Sequence, residues 1–312
     1  VRRPAGRPAS ASARRASANA DTGPFDIAFI GHICFDEVIP FRGTPRVAPG
    51  SAVLCGALAA ARVGKRVAVV TRMAPRDGPL LEPLRKNGVA VHVIPSAETT
   101  YVVTAHPSSD VDERRICHKA NAGFFRRDDL PPLSAGRVHL AGISDREFDL
   151  AFIVGLKDEG RRVSADMQSF VRHLQPSSGK VDFRDVPGKE EIVRRLDAVK
   201  LDVVEARVLT GSGDLERAAG IIAAWGCPEV VITRADGVLA LAEGKAFYEK
   251  FSNRSVSGRT GRGDTAFAAY LARRIDHDAP DALKFAAALA SLKMETPGPF
   301  AGTLDDVLAR MR

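Results

Sequence analysis

The sequence predicts an α/β protein built on a mostly parallel β-sheet with helices on both faces. Two observations carry this. From Phe25 onward, short β-rich runs alternate with helical segments, as repeated strand–helix–strand units require. Several of the runs are nearly continuous Val, Ile, Ala and Leu, which suits strands buried on both faces. In chain order, core strands are expected at Asp26–Ile33, Arg66–Arg72, Val89–Ile94, Arg137–Ile143, Arg162–Asp166, Val199–Val204 and Glu229–Thr233. Helices are expected at Leu54–Val63, Gly78–Asn87, Lys189–Leu196, Leu215–Trp225, Thr265–Ile275, Asp281–Met294 and Leu304–Met311. Asp214 and Pro280 stand where a helix start favours a capping carboxylate or a pre-set φ.

Two stretches interrupt the alternation. Phe35–Val47 is extended in character, and Ala97–Lys119 contains two β-rich runs around the polar turn Ser108-Ser109-Asp110, the pattern of a β-hairpin. Segments at about 35–47 and 97–120 could form a small β lid over the mouth of one main domain spanning 25–312; an ordinary surface hairpin is the alternative. An exposed apolar face on such a lid could pair with a second copy as a homodimer.

The 312 residues, 45% hydrophobic, are enough to bury a large core. The formal charge of +7 does not indicate a nucleic-acid partner, because the first twenty residues hold five arginines and no acid and the remainder is close to neutral. Residues 1–24, rich in Arg, Ala, Ser and Pro, lack an apolar period and are expected to be disordered. Such a start also resembles a transit peptide, but Pro4 and Pro8 spoil an amphipathic helix, and no apolar core of a secretory signal follows. Cys34, Cys55, Cys117 and Cys227 are far apart with no CxxC spacing, and the seven histidines are scattered, so neither a disulfide framework nor a zinc site is expected. The longest apolar stretches, such as Leu150 to Leu156, are well short of the ~20 residues that span a bilayer. A soluble, cytoplasmic protein without a membrane partner is the expectation.

The segment that carries chemistry is Ser257-Gly-Arg-Thr-Gly-Arg-Gly-Asp-Thr-Ala-Phe267. Glycines let backbone N–H groups converge in a tight turn, and the helix that follows adds the partial positive charge of its N-terminus, so this is an anion site. A carboxylate in the first turn of that helix, Asp264, would stand beside bound phosphate and could take a proton from an attacking hydroxyl. A glycine turn that merely opens a helix is the plain alternative.

The same segment resembles the C-terminal signature of the PfkB/ribokinase-like carbohydrate kinases, DTTGAGD, and the likeness extends from about Asp26 to Phe300. The resemblance implies a ribokinase-like three-layer α/β/α sandwich with a mostly parallel central sheet and a small β lid. It also implies transfer of the γ-phosphoryl of ATP, with Mg²⁺, to a hydroxyl of a sugar or cyclitol. Asp264 would be the catalytic base, with Gly261, Arg262 and Gly263 as the anion hole. In Gly31-His-Ile-Cys-Phe-Asp36, Asp36 falls where the family grips substrate hydroxyls. Pro49-Gly50-Ser51 and LCGALAAARVG look like its first signature, a Gly-Gly turn and Ala-rich helix, which places Gly50, Ser51 and Cys55 at the substrate. Asp166-Met-Gln168 with Arg172 is similar to a strand end near phosphate and substrate. The run from Asp202 through Glu205 to Gly211 resembles the NxxE segment that organises Mg²⁺ through water. Thr233 and Gly237, Thr260, and Ala287 and Ser291 in the run Phe285 to Ser291 fall at nucleotide-binding positions.

The departures are informative. Gly258 replaces the first Asp of the signature, which puts a potassium requirement in doubt. Cys55 stands where ribokinase-like members often carry a substrate-binding Asn, and Asp202 replaces the Asn of NxxE. Arg262 replaces a small residue, and its guanidinium could touch phosphate or point outward. A nucleoside kinase is the alternative within the family, with Phe41 and Tyr101 of the lid available to stack on a base. A catalytically weak nucleotide-binding regulator is a further alternative. A dinucleotide-binding dehydrogenase fits poorly, since GHICFD follows the first strand rather than GxGxxG, and no Walker pattern is present.

Overall fold

A computed structural model describes residues 24–108 and 113–312. The predicted N-terminal tail, apart from Pro24, and the turn residues Ser109 and Asp110 lie outside the described residues. Among the described residues the strands are β1 Phe25–Ile30, β2 Cys34–Ile39, β3 Arg46–Gly50, β4 Val67–Met73, β5 Ala90–Pro95, β6 Thr100–Ala105, β7 Arg115–Ala120, β8 Ala135–Leu140, β9 Val163–Asp166, β10 Arg172–Leu174, β11 Lys180–Phe183, β12 Ala198–Asp202, β13 Glu229–Thr233, β14 Gly237–Ala242 and β15 Lys245–Lys250. The α-helices are α1 Ala52–Arg62, α2 Glu82–Lys86, α3 Leu150–Asp158, α4 Gln168–Val171, α5 Lys189–Arg194, α6 Val203–Thr210, α7 Leu215–Ala224, α8 Arg262–Arg273, α9 Ala279–Met294 and α10 Leu304–Arg310.

The large sheet runs β15-β14-β13-β12-β9-β8-β1-β4-β5. From β13 to β5 every pairing is parallel, and β14 and β15 add an antiparallel edge. One core packs α1, α8 and α9 against one face; the other packs α3, α5, α6 and α7 against the opposite face. This is the expected three-layer sandwich. The chain passes from β1 outward to β4 and β5 and then returns to β8, so strand order reverses between β1 and β8. Ligands of open parallel sheets bind beyond the strand C-termini at such a reversal.

The two segments that break the alternation do form a second sheet, in the order β10-β11-β7-β6-β2-β3. Strands β10 and β11 complete it, and the sequence reading did not anticipate them. Asp36, Val102 and His118 lie in register across β2, β6 and β7, so all three face the same way.

Several element boundaries differ from expectation for local reasons. The helix expected at Gly78–Asn87 is a 3₁₀ segment, Pro75–Leu81, followed by the short α2, because Pro79 and Pro83 remove N–H donors from the ladder. The strand expected to reach Val204 stops at Asp202, whose side chain accepts from the Val204 and Glu205 N–H groups while Glu205 reaches back, a capping box that opens α6. Leu150 to Leu156, noted only as an apolar stretch, is helical, capped by Asp149. Most consequential, α8 begins at Arg262 rather than Thr265, which brings Gly263 and Asp264 into its first turn. Among the described residues no helix is long and apolar enough to cross a membrane.

Candidate active site

The site is organised around the start of α8. Gly261 adopts φ 78°, ψ 12° as the residue before the helix, a left-handed conformation that costs a side chain-bearing residue energy. A Cβ there would also lie 2.4 Å from Cys55 Sγ. Cys55 therefore packs beneath the turn, and burial pushes its thiol up to about 12, so it is a neutral packing group. The Arg262 N–H turns back to Arg259 O at 3.1 Å, whereas the N–H groups of Gly263 and Asp264 belong to the first helical turn, where no intrahelical acceptor exists. Of the expected anion hole of Gly261, Arg262 and Gly263, the Arg262 amide is thus already committed to Arg259 O.

Beneath Gly263 lies a residue the sequence reading missed. A Cβ on Gly263 would come within 3.0 Å of Lys200 Cε and 3.1 Å of its Nζ. Lys200 Nζ sits 2.7 Å from Asp166 Oδ2, with both side chains almost fully buried. Burial alone would strip the proton from Lys200, but the carboxylates of Asp166, Glu205, Asp264 and Asp202 outweigh it and raise the pKa. A permanent ammonium therefore underlies the first turn of α8. Its signal in the sequence was a lone lysine in the apolar strand Ala198-Val-Lys-Leu-Asp202.

Asp166 was expected at the substrate, but its Oδ2 holds Lys200 and its Oδ1 accepts the Gln168 N–H at 3.1 Å. It is an internal counter-ion. Gln168 acts on Asp264 instead: its amide donates to Gly142 O at 2.8 Å and to Asp264 Oδ1 at 3.4 Å, which orients the carboxylate. Asp264 is partly exposed.

Asp36 approaches from β2. Burial, then the nearby Asp264, raise its carboxyl to about 6, while Lys293 opposes the shift. Gly50, paired opposite Cys34, makes room for it, since a Cβ there would lie 2.4 Å from Asp36 Cβ. Ser51 stands where the family signature has a second glycine and is held at φ 135°, a strained angle for a residue with a side chain. Its hydroxyl accepts from Leu54 N at 3.1 Å and caps α1. His118, in register with Asp36, is buried with an Nε2 that has no hydrogen-bond partner among the described residues, and burial lowers its pKa to about 4. It is a neutral imidazole with Nδ1 held by Asn121 and Nε2 unpartnered, on the same sheet face as Asp36.

Asp202 and Glu205 were expected to organise Mg²⁺ through water. Asp202 Oδ1 caps α6 and Oδ2 pairs with Arg114 at 2.5 Å; burial works against ionisation, but Arg114, Lys200 and Arg172 pull the carboxyl down to about 2. Glu205, fully buried, accepts Arg172 at 3.0 Å on Oε1 and the Asp202 N–H on Oε2. Every oxygen of the pair already meets a protein donor. Among the described residues no group of three or more His, Cys, Asp or Glu side chains could hold a metal ion. Mg²⁺ commonly rides on substrate phosphates with few protein ligands, and that is the arrangement these residues suit.

The positions expected at the nucleotide are closely packed. Thr233 is buried, and a Cβ on Gly237 would lie 2.4 Å from the Tyr248 hydroxyl. Ser291 donates to Ala287 O at 2.6 Å and accepts the Ser252 N–H at 2.8 Å, so both residues are committed to α9 and its neighbouring loop. The Thr260 carbonyl accepts from Lys293. Arg262 spans the remaining space: its guanidinium lies 5.6 Å over the Phe251 ring and donates to Ala235 O at 3.3 Å.

A glycine turn on a buried lysine, a half-open carboxylate and a second carboxylate opposite meet at one edge of an α/β/α sandwich. The chain belongs to the pfkB family of carbohydrate kinases, whose family model matches residues 26–305, and it is a phosphotransferase with a hydroxyl acceptor. Among solved structures, a pyrophosphate-dependent kinase in the ribokinase family, in complex with sulfate, is 34% identical with a TM-score of 0.84, covering 91% of this chain and 99% of that one. A pyrophosphate-dependent kinase of the same family, complexed with a pyrophosphate analog and myo-inositol, is 32% identical with a TM-score of 0.83 and the same coverage. The ribokinase of Arabidopsis thaliana, complexed with ribose and ATP, shares the fold at 19% identity and a TM-score of 0.75, covering 93% of this chain and 99% of that one. A cytidine kinase of Thermococcus kodakarensis is 28% identical over 259 residues, 79% of this chain and 87% of the relative.

Removing the ammonium beneath α8 leaves Asp166 buried without its partner. Lys200→Met is expected to lower unfolding free energy by roughly 3–5 kcal/mol, read by urea denaturation; an unchanged midpoint would show that the pair is dispensable.

Proposed function

We propose that this protein is a cyclitol kinase that takes its phosphoryl group from inorganic pyrophosphate. The observation that carries the donor is Arg262. Its side chain crosses from the glycine turn to Ala235 and Phe251, and a guanidinium held there favours a compact anionic donor over a bulky nucleotide. Arg172, Arg114 and Lys200 lie in the same region, each paired with a carboxylate, Glu205, Asp202 and Asp166 respectively. The relatives at 32–34% identity are pyrophosphate-dependent, and one is complexed with myo-inositol, which supports both donor and acceptor. A nucleoside acceptor is less well supported. The Tyr101 ring has Phe35 at 5.6 Å and the Lys119 ammonium at 4.7 Å, and its hydroxyl donates to Glu37.

In the proposed reaction an acceptor hydroxyl, held by Asp36 and the neutral His118, attacks the donor phosphorus in line. The new oxygen–phosphorus bond forms as the bridging bond of pyrophosphate breaks, orthophosphate leaves, and the hydroxyl proton passes to Asp264. Gln168 holds Asp264 in place. The N–H groups of Gly263 and Asp264 grip the transferring oxygens over the Lys200 charge, so catalysis is mostly positioning and electrostatics. Mg²⁺ bound to the donor would neutralise further charge, with Asp202 and Glu205 reaching it only through water.

Assays pairing pyrophosphate or ATP with inositols, pentoses, hexoses and cytidine are expected to give the highest kcat/KM for pyrophosphate with an inositol. Arg262→Ala is expected to shift the donor ratio toward ATP. Faster turnover with ATP in the unaltered protein would reject the donor assignment. Asp264→Asn is expected to keep donor affinity and lose on the order of 10²–10⁴ in kcat; a wild-type kcat would remove Asp264 from the mechanism.

Asp36 supplies the pH dependence. With its carboxyl near 6, it is ionised at neutrality and protonated on the acid side. A protonated carboxyl loses acceptor capacity for substrate hydroxyls. The acceptor KM is therefore expected to rise as pH falls through about 6, and Asp36→Asn should flatten that profile. A wild-type KM that is level through this range would exclude the role.

A further inference from the structure

The turn that precedes α8 encloses a buried charge the mechanism above does not use. Lys293, near the C-terminus of α9, is 1% exposed, and its ammonium donates to two main-chain carbonyls, Gly258 O and Thr260 O. Converging carbonyl dipoles repel one another unless a cation lies between them, and here the cation is part of the chain.

The surrounding contacts show why the turn closes on that lysine. Gly258 N–H donates to Met294 O at 2.8 Å, and a Cβ on Gly258 would lie 1.7 Å from Thr296 O, so the main chain itself abuts the end of α9. The carboxylate that the family signature places at this position has no room. Ser257 and Ser255 donate their hydroxyls to Glu295 O at 2.9 and 3.3 Å, and Arg254 N–H donates to Glu295 Oε1 at 3.0 Å. Loop donors thus satisfy carbonyls at the C-terminus of α9, where the helix dipole favours a cation, and Lys293 returns a donor to the loop.

We infer that the Lys293 ammonium acts as a built-in monovalent cation that holds the turn from Gly258 to Gly261 in its phosphate-gripping form, so that the enzyme needs no potassium or other free monovalent ion. Lys293 is a positioning residue, acting through the carbonyls of Gly258 and Thr260 on the amides that follow. The inference rests on the turn being the donor site, as proposed above.

The test reads donor binding as well as turnover. Wild-type kcat, and the rise in melting temperature caused by magnesium pyrophosphate, are expected to be the same in potassium, sodium and choline chloride. Lys293→Ala in choline chloride is expected to lose most of the pyrophosphate-induced rise and on the order of 10² in kcat, the cost of a small misplacement of catalytic groups. Ammonium or potassium chloride, whose ions fit the vacated space, should restore both. Lys293→Met, which fills the space without charge, should lose both and gain nothing from either salt. Activation of the wild type by potassium would overturn the inference. So would a Lys293→Ala protein with full donor response in choline, or a folded one that no small cation restores. If Lys293→Ala does not fold, the wild-type salt series alone decides. If no donor and acceptor pair turns over, the kinase reading fails on that result, while the pyrophosphate-induced rise in melting temperature still tests Lys293.

Discussion

The buried pair of Lys200 and Asp166 is the interaction on which the site depends. Its ammonium lies directly beneath Gly263, close enough that a Cβ there would crowd it. Glycine leaves that approach unhindered, and the first-turn amides stand over the positive charge. In a low-dielectric interior such a charge strengthens anion binding without reorganisation. The same burial makes the pair costly to break from one side, so the charge proposed to serve phosphate also constrains the fold.

Around this pair the acidic and basic groups are interleaved. Asp202 is matched by Arg114, Glu205 by Arg172 and Asp166 by Lys200. Arg114 lies next to β7 of the second sheet, so its bond to Asp202 ties that sheet to the start of α6. Replacement of the NxxE asparagine by Asp202 is intelligible here: the added negative charge is met by an arginine from the opposing sheet. The remaining carboxylates, Asp36 and Asp264, lie near each other across the cleft, and their mutual repulsion contributes to the raised pKa of Asp36.

The glycine turn and Asp264 were singled out from a local pattern, and Asp36 from the resemblance to the family. A turn of glycines before a small-residue helix can read as an anion site or as a plain helix start, and an aspartate next to it is placed by covalent connection alone. Most parallel strands were legible for the same reason, since burial on both faces enforces continuous Val, Ile and Ala runs. The second sheet was legible only in part. Strands β2, β3, β6 and β7 were suggested by extended segments, whereas β10 and β11 are three and four residues long and carry no period of their own.

What the sequence determined by itself was the α/β class, the order of the core elements and the family signature with Asp264 at its end. Tertiary structure alone decided which neighbours each polar group would meet. It sent Asp166 to Lys200 rather than to substrate, Gln168 to Asp264, Arg262 across to Phe251, and Lys293 to the carbonyls of the turn. Lys200 and Gly263 are 63 positions apart in the chain and touch in the fold. Such contacts are set by packing between separate strands and helices, and no local period or propensity encodes them.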